Sequence, residues 1–215
     1  AGTFQEPKDI PESVAQASGA ASCAMELLAR GRGTLITHRE YPWERDVTDE
    51  EPRVGVFICH CGHNIASVVD IEAAVQAAHR LPNVAYAEAN LYTCSDTTQT
   101  KIKDLILEHR LNRLVVASCS PRTHEVLFQE TLRESGLNRY LFAMANIRDQ
   151  CSWVHRGDPA KATAKAIDLM RMAVGRARWL RALETGQLPI TRAALVIGGG
   201  LAGLTSAQSL AEQGF

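Results

Sequence analysis

No apolar run in these 215 residues approaches the ~20 that a membrane-spanning helix needs, and no basic-then-apolar leader is present. Charge of one sign is also missing. The 23 Lys and Arg against 24 Asp and Glu leave a formal net charge of −1, so nothing in the balance favours nucleic acid or an anionic membrane surface. An initiator Met is absent, and Gly214-Phe215 falls where a helix should hand over to a second strand. The chain is therefore expected to be a piece of a longer polypeptide. Six cysteines occur, yet none belongs to the C-x-x-C pairs that structural zinc usually takes. Without a secretion signal they point to a reducing, cytoplasmic setting, in which cysteine more often binds metal or does redox work than forms staples.

The length allows one real core with a small annex. Residues 11–30 read as a helix with Pro11 in its first turn, closed by Gly31 and Gly33. A charged connector follows, THREYPWERDVTDEEP, and a linker is expected over 34–52. From Arg53 the rhythm becomes strand, turn, helix, repeated. Strands are expected at 54–58, 84–89, 113–117 and 140–145, with helices opening at Asp70, at Ser95 or Asp96, at Ser120-Pro121 and at Asp158-Pro159. The last of these helices should run to about Leu183. Such alternation argues for an α/β fold, a parallel sheet with flanking helices over 53–187. Right-handed crossovers would place every strand's carboxyl end along one edge.

Five cysteines fall on that edge: Cys59 and Cys61 after the first strand, Cys94 after the second, Cys119 after the third and Cys151 after the fourth. Only Cys23 stands apart, in the middle of the first helix. A single buried cysteine in an α/β core is commonly packing, but five at one edge suggest ligands. Thiolates that arrive singly from distant loops suit an iron–sulfur cluster, whose irons point to the corners of a cube. A [4Fe–4S] cluster needs four, so one of the five is spare or exchangeable, and spacing leaves open which. Thr93, Ser95, Ser118, Ser120 and Ser152 are nearby donors to sulfur, or ordinary helix caps. His60, His63, His124 and His155 lie close in sequence and are alternative ligands or solvent-facing groups.

A second signal is ALVIGGGLAGLTSAQSLAEQGF. An apolar strand is expected at 194–197, then G-x-G-x-x-G formed by Gly198, Gly200 and Gly203, then a helix. These glycines permit a tight turn and close approach of a pyrophosphate to the helix N-terminus. The acidic residue expected ~20 positions on, for a ribose hydroxyl, would fall past Phe215.

The segments VFICHCGHNIA, NLYTCSD, VVASCSPRTHE and MANIRDQCSWVH, in this order and followed by GGGLAG, resemble the A subunit of heterodisulfide reductase over 53–215. The resemblance implies a flavin- and iron–sulfur-containing oxidoreductase subunit, with an iron–sulfur domain ahead of a thioredoxin-reductase-like FAD domain. It implies electron transfer between a [4Fe–4S] cluster and FAD, which divides electron pairs between a high- and a low-potential path. The implied partners are B- and C-type subunits and hydrogenase- or dehydrogenase-type electron carriers, in an oligomeric complex. It assigns Gly198, Gly199, Gly200, Leu201, Ala202 and Gly203 to FAD. AGTFQEPKDIPESVAQASGAA resembles the end of the same family's FAD domain, which brings Lys8, Asp9 and Ile10 to the flavin ring. Residues 1–33 before the cysteine domain and 188–215 after it suggest the junction of two fused copies, each contributing half a flavin site. No general acid, base or nucleophile is required, because the cofactors carry the chemistry. A zinc-binding module, a nucleotide-dependent dehydrogenase with buried cysteines, and a thiol switch at Cys59 and Cys61 are the competing expectations.

Overall fold

The computed structural model describes residues 1–215. In chain order its elements are α1 (Ile10–Leu28), β1 (Val54–Cys59), α2 (His63–Ala66), α3 (Ile71–His79), β2 (Val84–Asn90) and α4 (Asp96–Glu108). Then come β3 (Arg113–Ser118), α5 (Pro121–Glu134), β4 (Phe142–Asn146), α6 (Pro159–Ala177) and α7 (Leu201–Glu212). They form two units: Glu40–Thr185, and a second that joins Ala1–Arg39 to Gly186–Phe215. No helix is long and apolar enough to cross a membrane.

In Glu40–Thr185 the four strands form one parallel sheet in the order β2-β1-β3-β4. Every residue of β1 and β3 is buried, as continuous apolar runs covered on both faces require. The alternation of a strand divides β1 between two cores. Val54, Val56 and Ile58 face the core shared with α3 and α6, while Phe57 faces the one shared with α4 and α5. Chain progression reverses at β1, with β2 on one side and β3 on the other. A crevice therefore opens at their carboxyl ends, where open α/β sheets bind ligands.

The helix starts follow from short polar side chains. Asp70, Ser95, Ser120 and Asp158 each accept a backbone N–H of the first turn, and Pro121 and Pro159 occupy first-turn positions. Two boundaries differ from expectation. Helix α6 stops at Ala177, six residues early, because Leu180 turns inward against both cores. Beyond it Asn138 holds the Leu183 carbonyl at 3.0 Å and its N–H at 3.3 Å. The second half of the expected linker is packed onto the domain. Val47 is buried, the Arg45 N–H donates to the Gly136 carbonyl at 2.8 Å, and the Arg133 guanidinium lies 3.7 Å from the Tyr41 ring centre.

Gly55 marks the tightest point of the sheet. A Cβ there would sit 2.5 Å from Leu111 Cδ1 and 3.2 Å from the Phe57 ring, and Leu111 is itself fully buried. Gly55→Ala is expected to cost about 1–3 kcal/mol through overpacking. The measurement is the denaturant midpoint, which should fall with an unchanged slope.

In the other unit, Asp9 and Glu12 form a reciprocal capping box at the start of α1, with Pro11 in the first turn. Small side chains let α1 lie against α7. Ser22 Oγ is 2.7 Å from Ser209 Oγ, and Gln213 Nε2 donates to Ser22 at 3.3 Å and to Ser209 at 3.2 Å. Near the far end the Arg32 guanidinium lies 5.0 Å from the centre of the Phe215 ring. Residues of the two chain ends thus pack on each other in this unit. Residues 194–197 are extended but form no strand, and Leu195 and Ile197 stay exposed. A strand needs a neighbour to take its N–H and C=O groups, and this unit has no other strand.

Candidate metal centre and glycine turn

Cys59, Cys61, Cys94 and Cys119 lie within electrostatic reach of one another. Cys59 ends β1 and Cys61 follows in a turn of unusual backbone: Cys61 has φ +50° and Gly62 φ +58°. A Cβ on Gly62 would lie 2.8 Å from the Tyr92 hydroxyl, so glycine lets the β2 loop close over the turn. The Cys59 sulfur accepts two backbone N–H groups, from Cys61 at 3.2 Å and from Thr93 at 3.4 Å. Burial, and after it the Cys59 thiol, pushes the Cys94 thiol up, with Cys119 and Cys61 adding to the rise. Burial also pushes Cys119 up, against the opposing pull of Ser118 and Arg148, while Cys61 and Cys59 reinforce it. All four thiols are therefore within electrostatic reach of one another. No three His, Cys, Asp or Glu side chains close around a single point.

Cys151 has different partners. It sits in a π-helical turn, Arg148–Ser152, and its thiol donates to the Ala162 carbonyl at 3.1 Å in the first turn of α6. Burial pushes its thiol up, and the one charge that opposes this is Lys165 rather than anything near the other cysteines. Cys23 is exposed on α1. Of the histidines, His155 faces Lys165 at 3.3 Å, and the His60 carbonyl caps the short α2 by accepting from Ile65 and Ala66.

Two hydroxyls beside the thiols are buried without the bonds such groups need. Thr93 Oγ1 and Ser118 Oγ find no hydrogen-bond partner of good geometry, although Ser118 is close enough to the Cys119 sulfur to favour its thiolate. Orphaned buried donors at the mouth of a cysteine cluster fit an acceptor that occupies the site. Ser95 and Ser120, by contrast, are spent as helix caps. Sequence reading passed over Arg148. Its Nη1 donates to Cys61 Sγ at 3.5 Å, its Nε donates to Asp149 at 3.3 Å, and its guanidinium lies 4.7 Å from the centre of the Trp153 ring. The signal available was a basic residue three positions before a cysteine in RDQC, directly after a strand.

The glycine turn keeps its shape without a strand before it. A Cβ on Gly203 would fall 2.0 Å from the Gly198 carbonyl oxygen, so only glycine closes this turn. Gly198 has φ +116°, and Gly200 caps α7 with no side chain on its free N–H groups. A Cβ on Gly199 or Gly200 would meet nothing, which leaves room for a ligand against the backbone. Leu201 is exposed at the start of α7. At the start of α1, Lys8 pairs with Glu6, Asp9 is the cap and Ile10 is exposed.

A parallel α/β sheet whose carboxyl edge gathers thiols from three loops, followed by a Gly-x-Gly-x-x-Gly turn, defines a class of cofactor-binding protein. No protein-family model matches the chain. It is 53% identical over 169 residues to the iron-sulfur A subunit of a CoB–CoM heterodisulfide reductase from Methanopyrus kandleri, covering 79% of this chain and 26% of that protein. It is 52% identical over 172 residues to the A subunit of an H2:CoB–CoM heterodisulfide,ferredoxin reductase from Methanothermobacter thermautotrophicus, covering 80% and 26%. A protein of Archaeoglobus profundus, named as similar to the heterodisulfide reductase A subunit, is 50% identical over 169 residues, covering 79% and 24%. Over about four-fifths of its length the chain is thus similar to heterodisulfide reductase A subunits, and it spans about a quarter of the length of these relatives.

Proposed function

We propose that this chain is part of an electron-transferring oxidoreductase subunit, and that Cys59, Cys61, Cys94 and Cys119 hold a [4Fe–4S] cluster. The observation that carries this reading is the arrival of four thiols from three strand ends at one sheet edge, within electrostatic reach of one another. Zinc would draw its sulfurs to ~2.3 Å from the metal, hence ~3.8 Å from one another. A cubane presents its irons at separate corners and takes wider-set thiolates. The name of the Methanopyrus relative, which calls it an iron-sulfur subunit, supports the same group. Bound there, the cluster would supply one-electron transfer.

The protein's own part is defined by its donors. Raised thiol pKa values at Cys94 and Cys119 mean that loading must displace protons from these sulfurs. The Cys61 and Thr93 N–H groups donate to the Cys59 sulfur, and the Thr93 and Ser118 hydroxyls remain to donate to sulfur. The core beneath, in which Cys59 is embedded, keeps water from that side.

Residues 198–203 would hold the pyrophosphate of one FAD, and Lys8, Asp9 and Ile10 would belong to the flavin site of the preceding copy. FAD would supply the coupling of two-electron to one-electron chemistry. Exchange of electrons between cluster and FAD, their division between two paths, and assembly with other subunits of a heterodisulfide reductase complex belong to this reading. Relatives named for ferredoxin and F420 indicate the kind of electron carrier to be tested. Reduced cysteines suit the cytoplasm.

Anaerobic reconstitution with iron and sulfide tests the cluster. The expected result is a brown protein with about four iron and four sulfide per chain. Tight binding of a single colourless zinc ion, with no visible absorption after iron and sulfide, would establish the zinc module instead.

A further inference from the structure

We infer that Arg148 and Asp149 set the reduction potential of the centre held by the four cysteines, Arg148 raising it and Asp149 limiting the rise. The inference rests on the cluster reading above and adds to it a tuning pair that spacing did not reveal.

Three contacts hold the guanidinium in place. Its Nε donates to the Asp149 carboxylate at 3.3 Å, its face lies 4.7 Å from the centre of the Trp153 ring, and Nη1 donates to Cys61 Sγ at 3.5 Å. The backbone beneath is fixed too, because Asn146 Oδ1 accepts the N–H groups of Arg148 at 3.2 Å and Asp149 at 2.9 Å. Trp153 is itself tied to the β1 loop, with Nε1 donating to Asn64 Oδ1 at 3.3 Å. The arginine side chain is only 19% exposed, so water screens its charge poorly. It spans from the end of β4, past β3, to the loop after β1. A cation used only to close the fold would be satisfied by its carboxylate. This one sends its second arm to a sulfur.

The physical consequence has a fixed sign. Adding an electron makes the centre more negative. A fixed positive charge and an N–H donor at one of its sulfurs favour that state, which raises the potential. Asp149, the carboxylate paired with Arg148, opposes this. Planarity matters as well, since only a guanidinium can serve the carboxylate and the sulfur together while stacking on an indole.

The test is a redox titration of the reconstituted full chain, followed by electron paramagnetic resonance, with iron and sulfide counted first. That count decides the cluster reading by itself: a wild-type chain without iron and sulfide fails there, before any potential is measured. In a loaded chain, Arg148→Gln should shift the one-electron equilibrium at least about tenfold toward the oxidised form, about 59 mV more negative. Arg148→Lys should fall between Arg148→Gln and wild type. Asp149→Asn should move the potential the other way. An unchanged potential in a fully loaded Arg148→Gln protein would overturn the inference. If Arg148→Gln takes up no iron, Asp149→Asn decides: a rise supports the pair, and no change refutes it.

Discussion

Cys119→Ser is expected to strip the chain of its chromophore, with iron falling from about four to below about one per chain after reconstitution. Cys151→Ser should retain all of it. The two residues look alike in the sequence: each is buried, and each follows a strand at the same edge. Their surroundings separate them. Cys119 interacts electrostatically with Cys59, Cys61 and Cys94, and its neighbours include Arg148 and the orphaned Ser118 hydroxyl. Cys151 instead donates its S–H to Ala162 and so pins the π-helical turn to α6. Serine keeps a donor there, so Cys151→Ser should cost no more than about 1–2 kcal/mol of stability. Circular dichroism on both variants separates loss of ligand from loss of fold. A loaded Cys119→Ser protein beside an empty Cys151→Ser protein would reverse the ligand assignment.

Gly203→Ala is expected to weaken flavin binding by about 10- to 100-fold in the full-length protein, the equivalent of about 1–3 kcal/mol of overpacking. The added methyl would land 2.0 Å from the Gly198 carbonyl, and backbone cannot yield as a side-chain tip can. Gly199→Ala discriminates between a structural and a ligand-contact role. Its Cβ meets no protein atom, so the fold should be untouched while a pyrophosphate against that backbone is obstructed. The readout is flavin released per chain, beside the melting temperature. Flavin retained at wild-type level in both variants would remove the turn from the flavin site.

Much of this was legible in the chain because local chemistry and global topology agree. The apolar run of β3 needs burial on both faces, and Ser120-Pro121 can open a helix there and do little else. Parallel order then carries the cysteines to one edge without any knowledge of side-chain positions. What stayed hidden depends on partners remote in sequence. Val47 is a lone apolar residue in a polar stretch, and nothing nearby tells that Gly136 will anchor its neighbour Arg45. Residues 194–197 have strand composition, yet a strand exists only with another beside it. Leu180 ends α6 through contacts with two cores rather than through a breaker residue. The bond of Cys151 to the Ala162 carbonyl turns on how a π-helical turn points one side chain, which spacing does not encode.

The pairing of Ser22 with Ser209 joins residues 187 positions apart. At a synthesis rate of ~5–20 residues per second, the first helix leaves the ribosome about 10–40 s before the helix it rests on. The whole β2-β1-β3-β4 sheet is translated in that interval and can close by itself. Meanwhile Val14, Leu27 and Leu28, which stay largely exposed even with α7 in place, are uncovered. Biogenesis of these segments thus becomes vectorial, with the thiol-bearing layer able to mature before α7 emerges to meet α1.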